Sequence, residues 1–469
     1  MWMRVDWRKT INGVVHAEDH VKTVFVIGAG PAGMFAAQKI AQGGHEVIIL
    51  NRDIKPGGLA EYGIYPTKDK MKFGLRKQFA KVLSLPNVHY FGHVPISSQS
   101  AVPVSDLSRF SPAAIVFAVG AQGTKKLGLA GETAGGVYAA KDFVYNYNLL
   151  PPFTAQDFST GKRVAIIGMG NVMVDIARWL LLDAPHKTAE EVVVVARRGP
   201  FEAKFDQKEF AYVEPFLDRA AFDAELERIK PQLASVGQDI GKLSEETFPI
   251  LAKPAQQPAG ARLRFRFLCS PQAISAGDGG RINTLTVVEN ILQQRDGSIA
   301  CKATEQTFGL DVDTMIFAIG DVADPSVGLP YNRDAYVTNP AAGEDPKGAW
   351  AYELFDPQTG KVMEGMYAVG WARKASDGLV GIARHDAEVG AAHVLKFLET
   401  AGGEGSAAAK VREYLDSKGL RVIDKHDLES LGRAEEKIAK ERGLTWFKFD
   451  KDEDMLAAID AERTKAVSV

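Results

Sequence analysis

Cysteine is scarce in this chain: only two occur among its 469 residues. Cys269 and Cys301 each stand alone in their stretch, so the sequence has no disulfide framework, no CxxC redox pair and no set of iron–sulfur ligands. The nine histidines show no metal-ligand spacing either. These shortages exclude a disulfide reductase and predict that the chain has no metal site.

Long apolar runs are also missing, and the net charge is small. No stretch reaches the about 20 apolar residues that a membrane-spanning helix needs, and the first residues lack the apolar core of a signal peptide. The basic and acidic residues nearly cancel, to a formal net charge of −3, so no overall field draws the chain to nucleic acid or to an anionic membrane. We therefore expect a cytoplasmic protein whose charged partners, if any, meet a local patch.

The chain does contain enough apolar residues, 46%, for the cores of two or three globular domains. A strand, a glycine-rich turn, a helix and a second strand are predicted twice. The first unit has strands at 24–27 and 47–50 around a helix at 34–42, and the second has strands at 163–168 and 191–195 around a helix at about 172–182. Two further apolar strands, at 114–119 and 314–319, each end at a glycine. Elsewhere the pattern predicts a surface excursion at 216–258, an irregular insertion at 331–362 and a charged helical tail at 407–469.

The first turn carries the glycines of a dinucleotide-binding motif, Gly28, Gly30 and Gly33. The first glycine permits a tight turn, the second lets the backbone approach a pyrophosphate, and the third lets helix and strand pack closely. Asn51 stands where an acidic residue usually binds a ribose hydroxyl, and its side-chain oxygen can still accept a hydrogen bond. The turn predicts a nucleotide site with less negative charge than usual.

The second turn, Gly168-Met169-Gly170, has a bulky Met173 at the third glycine position, which predicts looser packing of its helix. Its second strand leads into Arg197 and Arg198 rather than into an acidic residue. Two guanidinium groups can bind a 2′-phosphate that a carboxylate would repel, so the sequence favours NADP(H) over NAD(H). Alternatively, the two arginines only cap a surface turn.

Four motifs extend beyond these turns: PGGLAEYGIYP at 56–66, GMGNV at 168–172, RRGPFEAKF at 197–205, and GW at 370–371 followed by GLVG at 378–381. With them, nearly the whole chain resembles the adrenodoxin-reductase-type ferredoxin–NADP reductases, and more distantly the glutamate synthase small subunit. The resemblance implies an α/β fold with two Rossmann-like dinucleotide-binding domains in the three-layer ββα architecture of flavoproteins. It implies a discontinuous FAD domain, residues 1–121 and 331–469, with an NADP domain, residues 122–330, inserted into it.

The resemblance also implies which residues bind the cofactors. For FAD these are Gly28, Ala29, Gly30, Pro31, Gly33, Asn51, Gly58, Leu59, Gly63, Ile64, Gly120, Gly370, Trp371, Gly378, Leu379 and Val380. For NADP(H) they are Gly168, Gly170, Asn171, Val172, Arg197, Arg198 and Glu209, although Glu209 fits a solvated helix face equally well. The chain departs from the family pattern at Thr67-Lys68, where Asp-His is common, and at 374–377.

Hydride transfer between a nicotinamide and a flavin requires positioning and exclusion of water rather than a protein nucleophile, so no catalytic residue is predicted. The leading hypothesis is a ferredoxin–NADP(+) reductase, exchanging single electrons with a ferredoxin or another small iron–sulfur protein. A second is an electron-transfer subunit of a larger complex, such as a 2-oxoacid:ferredoxin oxidoreductase or a glutamate synthase, active only when docked. Arg219, Arg228 and Lys230 are candidates for binding an acidic ferredoxin, or form a solvated face.

Overall fold

The computed structural model describes residues 21–254, 260, 262–295, 297–343, 348–374, 380–402 and 405–467. The strands in this part of the chain are β1 Thr23–Ile27, β2 Glu46–Leu50, β3 Val88–Phe91, β4 Ala114–Phe117, β5 Gly123–Thr124, β6 Val137–Ala139, β7 Arg163–Ile167, β8 Glu191–Val195, β9 Arg262–Arg266, β10 Cys269–Ala276, β11 Ile282–Arg295, β12 Ser298–Asp311, β13 Thr314–Phe317, β14 Asp321–Val322, β15 Tyr331–Asn332, β16 Ala335–Tyr336, β17 Glu353–Asp356 and β18 Lys361–Ala368.

The α-helices of the described residues complete the two layered units. They are α1 Pro31–Gln42, α2 Leu59–Tyr62, α3 Asp69–Leu83, α4 Ala140–Tyr147, α5 Asn171–Arg178, α6 Gln207–Phe210, α7 Arg219–Ser235, α8 Leu243–Glu246, α9 Val380–Leu398, α10 Ala408–Ser417, α11 Lys425–Glu441 and α12 Asp452–Val467. In the part of the chain described, no helix has the length and apolar character needed to cross a membrane.

The first unit is built on a six-stranded sheet in the order β17-β18-β4-β1-β2-β3, with β1 parallel to both β2 and β4. All five residues of β1 are buried, because both faces of the sheet are covered. Val24 and Val26 face a core formed with α1, α3 and α9. Phe25 and Ile27 face a second core that includes residues of α10. The carboxyl ends of β1 and β4 therefore meet at one edge of a rigid scaffold.

The second unit has a fully parallel sheet in the order β6-β13-β7-β8-β9. Its helical face packs against α4, α5 and α7. The other face is covered by the antiparallel sheet β10-β11-β12, through a core that contains Ile274 and Val287. The three-layer ββα architecture predicted from the sequence is therefore confirmed.

The chain passes from the first sheet to the second after β4 and returns to the first at β17. The short antiparallel pair β5 and β14 lies at these two crossings. The region at 216–258 is less external than its charge pattern predicts, because Phe222, Ile229 and Leu233 of α7 are buried in the core of the second unit. The helical tail predicted at 407–469 is present as α10, α11 and α12.

Candidate functional site

The first glycine turn is shaped by close packing. Gly28 has φ +102°, and a Cβ atom there would lie 2.6 Å from the carbonyl oxygen of Ala118 at the end of β4. A Cβ at Gly33 would lie 1.9 Å from the oxygen of Gly28, so α1 contacts the turn through a position that only glycine can occupy. Gly30 is the N-cap of α1, and a Cβ there would meet nothing within 4 Å. The open space thus lies before the amino end of a helix, where anions bind.

Asn51 holds this turn in place. Its Oδ1 accepts a hydrogen bond from the backbone N–H of Ala29 at 2.9 Å, while its Nδ2 donates to the backbone oxygen of Asp53 at 2.8 Å. The side chain is buried, and Nδ2 also donates to the hydroxyl of Tyr90 at 3.1 Å. Because its amide forms these hydrogen bonds within the protein, Asn51 orders the turn. Its predicted contact with a ribose stays a prediction.

A second loop covers the turn. The N–H of Gly57 donates to the oxygen of Ala29 at 2.7 Å, and a Cβ at Gly58 would lie 3.1 Å from the Cα of Gly30. Gly58, with φ +48°, is the N-cap of the short helix α2. These contacts place the backbone of the 56–64 loop directly beside the open space at Gly30.

A third segment follows β18, which is parallel to β4 and ends at the same edge of the sheet. Gly370 has φ +64°, and a Cβ there would lie 2.5 Å from the Cβ of Ala32, one residue before Gly33 in α1. Its N–H donates to Oδ2 of Asp386 at 2.6 Å. Trp371 and Val380 follow along the cavity wall, whereas Gly378 and Leu379 lie outside the described residues.

The second turn repeats this backbone geometry. Gly168 has φ +117°, and a Cβ there would lie 2.2 Å from the oxygen of Ala318. Gly170 is the N-cap of α5 and has open space around its Cα. Met173, at the third glycine position, is fully buried in the core beneath α5. The helix therefore leaves room for a large side chain where α1 leaves none.

Two arginines extend from the end of β8 beside this turn. Arg197 is exposed, and its backbone oxygen accepts a hydrogen bond from Nδ2 of Asn290 at 3.0 Å. The Nε of Arg198 is buried and has no hydrogen-bond partner in the structure. Among the described residues neither guanidinium forms an ion pair, so both are available to an anion at the cavity.

Glu209 connects the two units. Its carboxylate lies 2.7 Å from Nζ of Lys68, a residue of the loop that follows α2. The neighbouring Thr67 accepts a hydrogen bond from Nη2 of Arg178 at 2.8 Å, again across the two units. Both residues that depart from the family pattern at 67–68 thus bridge the units, and Glu209 is half-buried against Lys68.

Asp175 lies on α5, on the wall of the same cavity. Burial raises the pKa of its carboxyl to about 6, against the opposing effect of the Lys68 charge. Glu209 raises the same pKa further. The cavity therefore holds a carboxyl group that changes charge near neutral pH.

One continuous cavity of about 1540 Å³ joins the two turns. Most of the residues predicted to bind cofactors line it, namely Gly28, Ala29, Gly30, Pro31, Asn51, Gly58, Leu59, Gly63, Ile64, Gly120, Trp371, Val380, Gly168, Gly170, Asn171, Val172, Arg197, Arg198 and Glu209. Gly33 and Gly370 pack behind the wall instead. The sequence did not single out Lys141, Asp175 and Asp321, which also line the cavity, because no local motif marks them.

The described residues contain no cluster of side chains that could hold a metal ion, and both cysteines are free. Burial raises the pKa of the Cys269 thiol to about 11, so this sulfur on the cavity wall is a thiol and not a reactive thiolate. The walls therefore offer binding groups and no redox centre of the protein's own.

This combination, two glycine turns on parallel sheets that face one cavity, defines a two-nucleotide oxidoreductase fold. In agreement, residues 22–220 match the family model described as pyridine nucleotide-disulphide oxidoreductase.

More particularly, the chain is 28% identical to the NADPH-ferredoxin reductase FprA of Mycobacterium leprae, over 90% of this chain and 95% of that protein. It is 25% identical to the mitochondrial NADPH:adrenodoxin oxidoreductase of Arabidopsis thaliana, over 93% of this chain and 95% of that one. The solved structure of Mycobacterium tuberculosis FprA in complex with NADPH superimposes with a TM-score of 0.77 at 26% identity, covering 94% of this chain and 99% of that chain. The resemblance to adrenodoxin-reductase-type ferredoxin–NADP reductases predicted from the sequence is confirmed.

Proposed function

We propose that this chain is a flavoprotein reductase that takes electrons from NADPH, through bound FAD, to a ferredoxin-type iron–sulfur protein. The observation that carries the proposal is the single cavity onto which both glycine turns open. A resident and a diffusible dinucleotide can meet there, which separate pockets would prevent.

FAD fits the first turn. The Cα of Gly30 borders open space at the amino end of α1, where a pyrophosphate would receive backbone N–H groups and the positive end of the helix dipole. The loop with Gly58, Leu59, Gly63 and Ile64 and the segment with Trp371 would border the rest of the cofactor.

NADPH fits the second turn. Gly170 repeats the open space at the amino end of α5, and Arg197 and Arg198 stand at the end of the next strand. The buried Nε of Arg198 has no partner in the protein, and a 2′-phosphate would supply one. An acidic side chain, which would favour NADH, is absent from this strand end.

When bound, FAD supplies the conversion between two-electron and one-electron transfer. The chain's own residues orient the two cofactors and keep water away from them. Lys68 and Glu209 form an ion pair across the cavity between the two units, which stabilises their relative position. No side chain is assigned as a nucleophile or as a general base.

The partner is proposed from the relatives, which are NADPH-ferredoxin reductases and NADPH:adrenodoxin oxidoreductases by name. We extend the proposal to the narrower class of ferredoxin–NADP(+) reductases, to residence in the cytoplasm, and to an FAD domain of residues 1–121 and 331–469 around an NADP domain of residues 122–330. The roles of the individual cavity residues belong to the same proposal.

A direct test starts with the purified chain alone. Its cofactor is released by heat and identified by mass spectrometry, and NADPH-driven reduction of cytochrome c is measured with and without a ferredoxin. The proposal predicts FAD and a reduction rate that depends on ferredoxin. If NADPH reduces the bound flavin but added ferredoxin does not increase the reduction of cytochrome c, the result would instead support a subunit that is active only in a larger complex.

A further inference from the structure

Two helices of this molecule differ strongly in charge. The helix α3 carries five basic residues and one acidic residue, a net charge of +4 in a chain whose total is −3. The helix α7, which holds the basic residues singled out from the sequence, carries three of each sign. Because Lys72 is buried and Arg76 pairs with Glu61, the exposed and, among the described residues, unpaired positive charge of α3 comes from Lys70, Lys77 and Lys81.

The basic residues of α7 are paired within the protein. Each forms an ion pair within the helix: Nε of Arg219 lies 3.0 Å from Oδ1 of Asp223, Nη2 of Arg228 lies 2.7 Å from Oε1 of Glu225, and Nζ of Lys230 lies 2.9 Å from Oε1 of Glu227. A partner that bound this face would have to compete with these carboxylates. The prediction that Arg219, Arg228 and Lys230 receive an acidic protein therefore has little support in the structure.

On α3 the exposed cations are not neutralised. Lys70, Lys77 and Lys81 are exposed, and among the residues that the structure describes none of their ammonium groups forms an ion pair. They are spaced by seven and four residues and so lie on one stripe of the helix, opposite the buried side chains of Leu75 and Phe79. Like charges four residues apart destabilise a helix, so this stripe is not explained by the stability of α3.

The stripe begins at the mouth of the cavity. Met71 lines the cavity and is 53% exposed, which places it at the opening, and Lys70 is its neighbour in sequence. Phe73, 38% exposed, lies two positions further along α3 and therefore flanks the lysine stripe on the side away from Met71. An apolar side chain on each side of a row of unpaired cations fits a surface that binds an acidic protein transiently.

Resting on the function proposed above, we infer that the surface of Lys70, Met71, Phe73, Lys77 and Lys81 is the docking site of the acidic iron–sulfur protein. The carboxylates of the partner face the three ammonium groups, and its redox centre approaches the cavity at Met71. The charge on α3 steers the encounter and orients the partner.

The test compares two triple charge reversals in the full-length holoprotein. One is Lys70→Glu, Lys77→Glu and Lys81→Glu. The control is Lys187→Glu, Lys242→Glu and Lys302→Glu, which makes the same change at exposed lysines of the second unit that form no ion pair among the described residues. Binding of a purified acidic [2Fe–2S] ferredoxin is measured by surface plasmon resonance at several salt concentrations, and NADPH-driven reduction of the neutral acceptor menadione reports the integrity of the flavin site.

The α3 variant should raise the dissociation constant by about tenfold or more at low salt and should flatten its salt dependence, while the control changes it by less than about twofold. Menadione reduction should be unchanged in both. Equal weakening by the two variants, or unaltered binding by the α3 variant, would overturn the inference. The milder Lys70→Gln, Lys77→Gln and Lys81→Gln variant repeats the test if the reversal lowers flavin content. A parent protein that does not bind ferredoxin would overturn the proposed function itself.

Discussion

Gly28 and Gly168 each end a central parallel strand with a positive φ, and each donates its N–H to the last residue of the neighbouring strand, at 2.8 and 3.0 Å. The two turns differ three positions after the second glycine, where Gly33 touches the turn and Met173 fills a core. They differ again at the next strand end, which carries a buried amide in one unit and two unpaired guanidiniums in the other. Both turns leave open space at the helix end, but Asn51 orders the first turn, whereas the strand end beside the second turn carries guanidinium groups without a protein partner among the described residues.

The substitution Gly33→Ala, in the first turn, should have the largest effect on flavin binding. Its Cβ would lie 1.9 Å from a backbone oxygen that cannot move without displacing the turn. We expect loss of bound flavin or of soluble protein, measured as the flavin-to-protein ratio after purification. The control Gly432→Ala, in α11 with nothing within 4 Å, should be neutral or stabilise the helix by up to about 1 kcal/mol. Full flavin content in Gly33→Ala would show that the close contact is not required.

Removal of the two guanidiniums should have the next largest effect. Hydrogen bonds to charged groups contribute about 1.5–3 kcal/mol each, so Arg197→Ala and Arg198→Ala should each raise the KM for NADPH by roughly tenfold or more. The KM for NADH, which lacks the phosphate, should hardly change. Arg163→Ala, at the opposite end of the same sheet, is the matched control and should leave both values within about twofold. Equal losses with NADPH and NADH would refute recognition of a 2′-phosphate.

The substitution Met173→Ala tests the difference between the two turns at the third glycine position. Because the side chain is fully buried, its truncation should lower the free energy of unfolding by about 2–5 kcal/mol, seen as a lower Tm. Flavin should remain bound, since the first unit is untouched. Loss of flavin without a change in Tm would contradict the placement of Met173 in the core of the second unit alone.

The smallest effect concerns Asp175. Its pKa is about 6 in the folded protein, against 3.8 for an ordinary aspartate, because burial disfavours the charge. The folded state therefore holds the proton more tightly, so its contribution to stability is present below about pH 4 and is lost as the pH rises through about 6. Asp175→Asn should remove this loss, so the Tm difference between variant and parent should increase from pH 4 to pH 7. A constant difference would contradict it.

The two turns illustrate how much of the fold could be predicted. The strand predicted at 24–27 is observed as Thr23–Ile27, and the strand at 191–195 agrees residue for residue, because buried parallel strands are continuous apolar runs. The first helix begins at Pro31, three residues earlier than its apolar pattern indicates, since proline suits the first helical position and Gly33 already lies within the helix. The second continues past Arg178 as a π-helical turn, Trp179–Asp183, so its predicted end at 182 agrees within one residue.

The features that could not be predicted depend on contacts between residues that are distant in the sequence. The resemblance implied a second β layer, but the individual strands of the sheet β10-β11-β12 were not located in the sequence, because much of β12 is exposed and its pattern is weak. Glu209 was left undecided, since only the fold brings Lys68 within 2.7 Å of it. Local motifs thus identified the turns, whereas the connection between the two units comes from tertiary structure.

Anaerobic stopped-flow reduction of the purified flavoprotein shows whether two different dinucleotides meet in one cavity. We predict that NADPH bleaches the flavin absorbance much faster than NADH at equal concentration, by roughly a hundredfold, and that oxidised ferredoxin then restores the absorbance. Equal rates with NADH would contradict the role of Arg197 and Arg198. A chain purified without flavin would contradict the account as a whole.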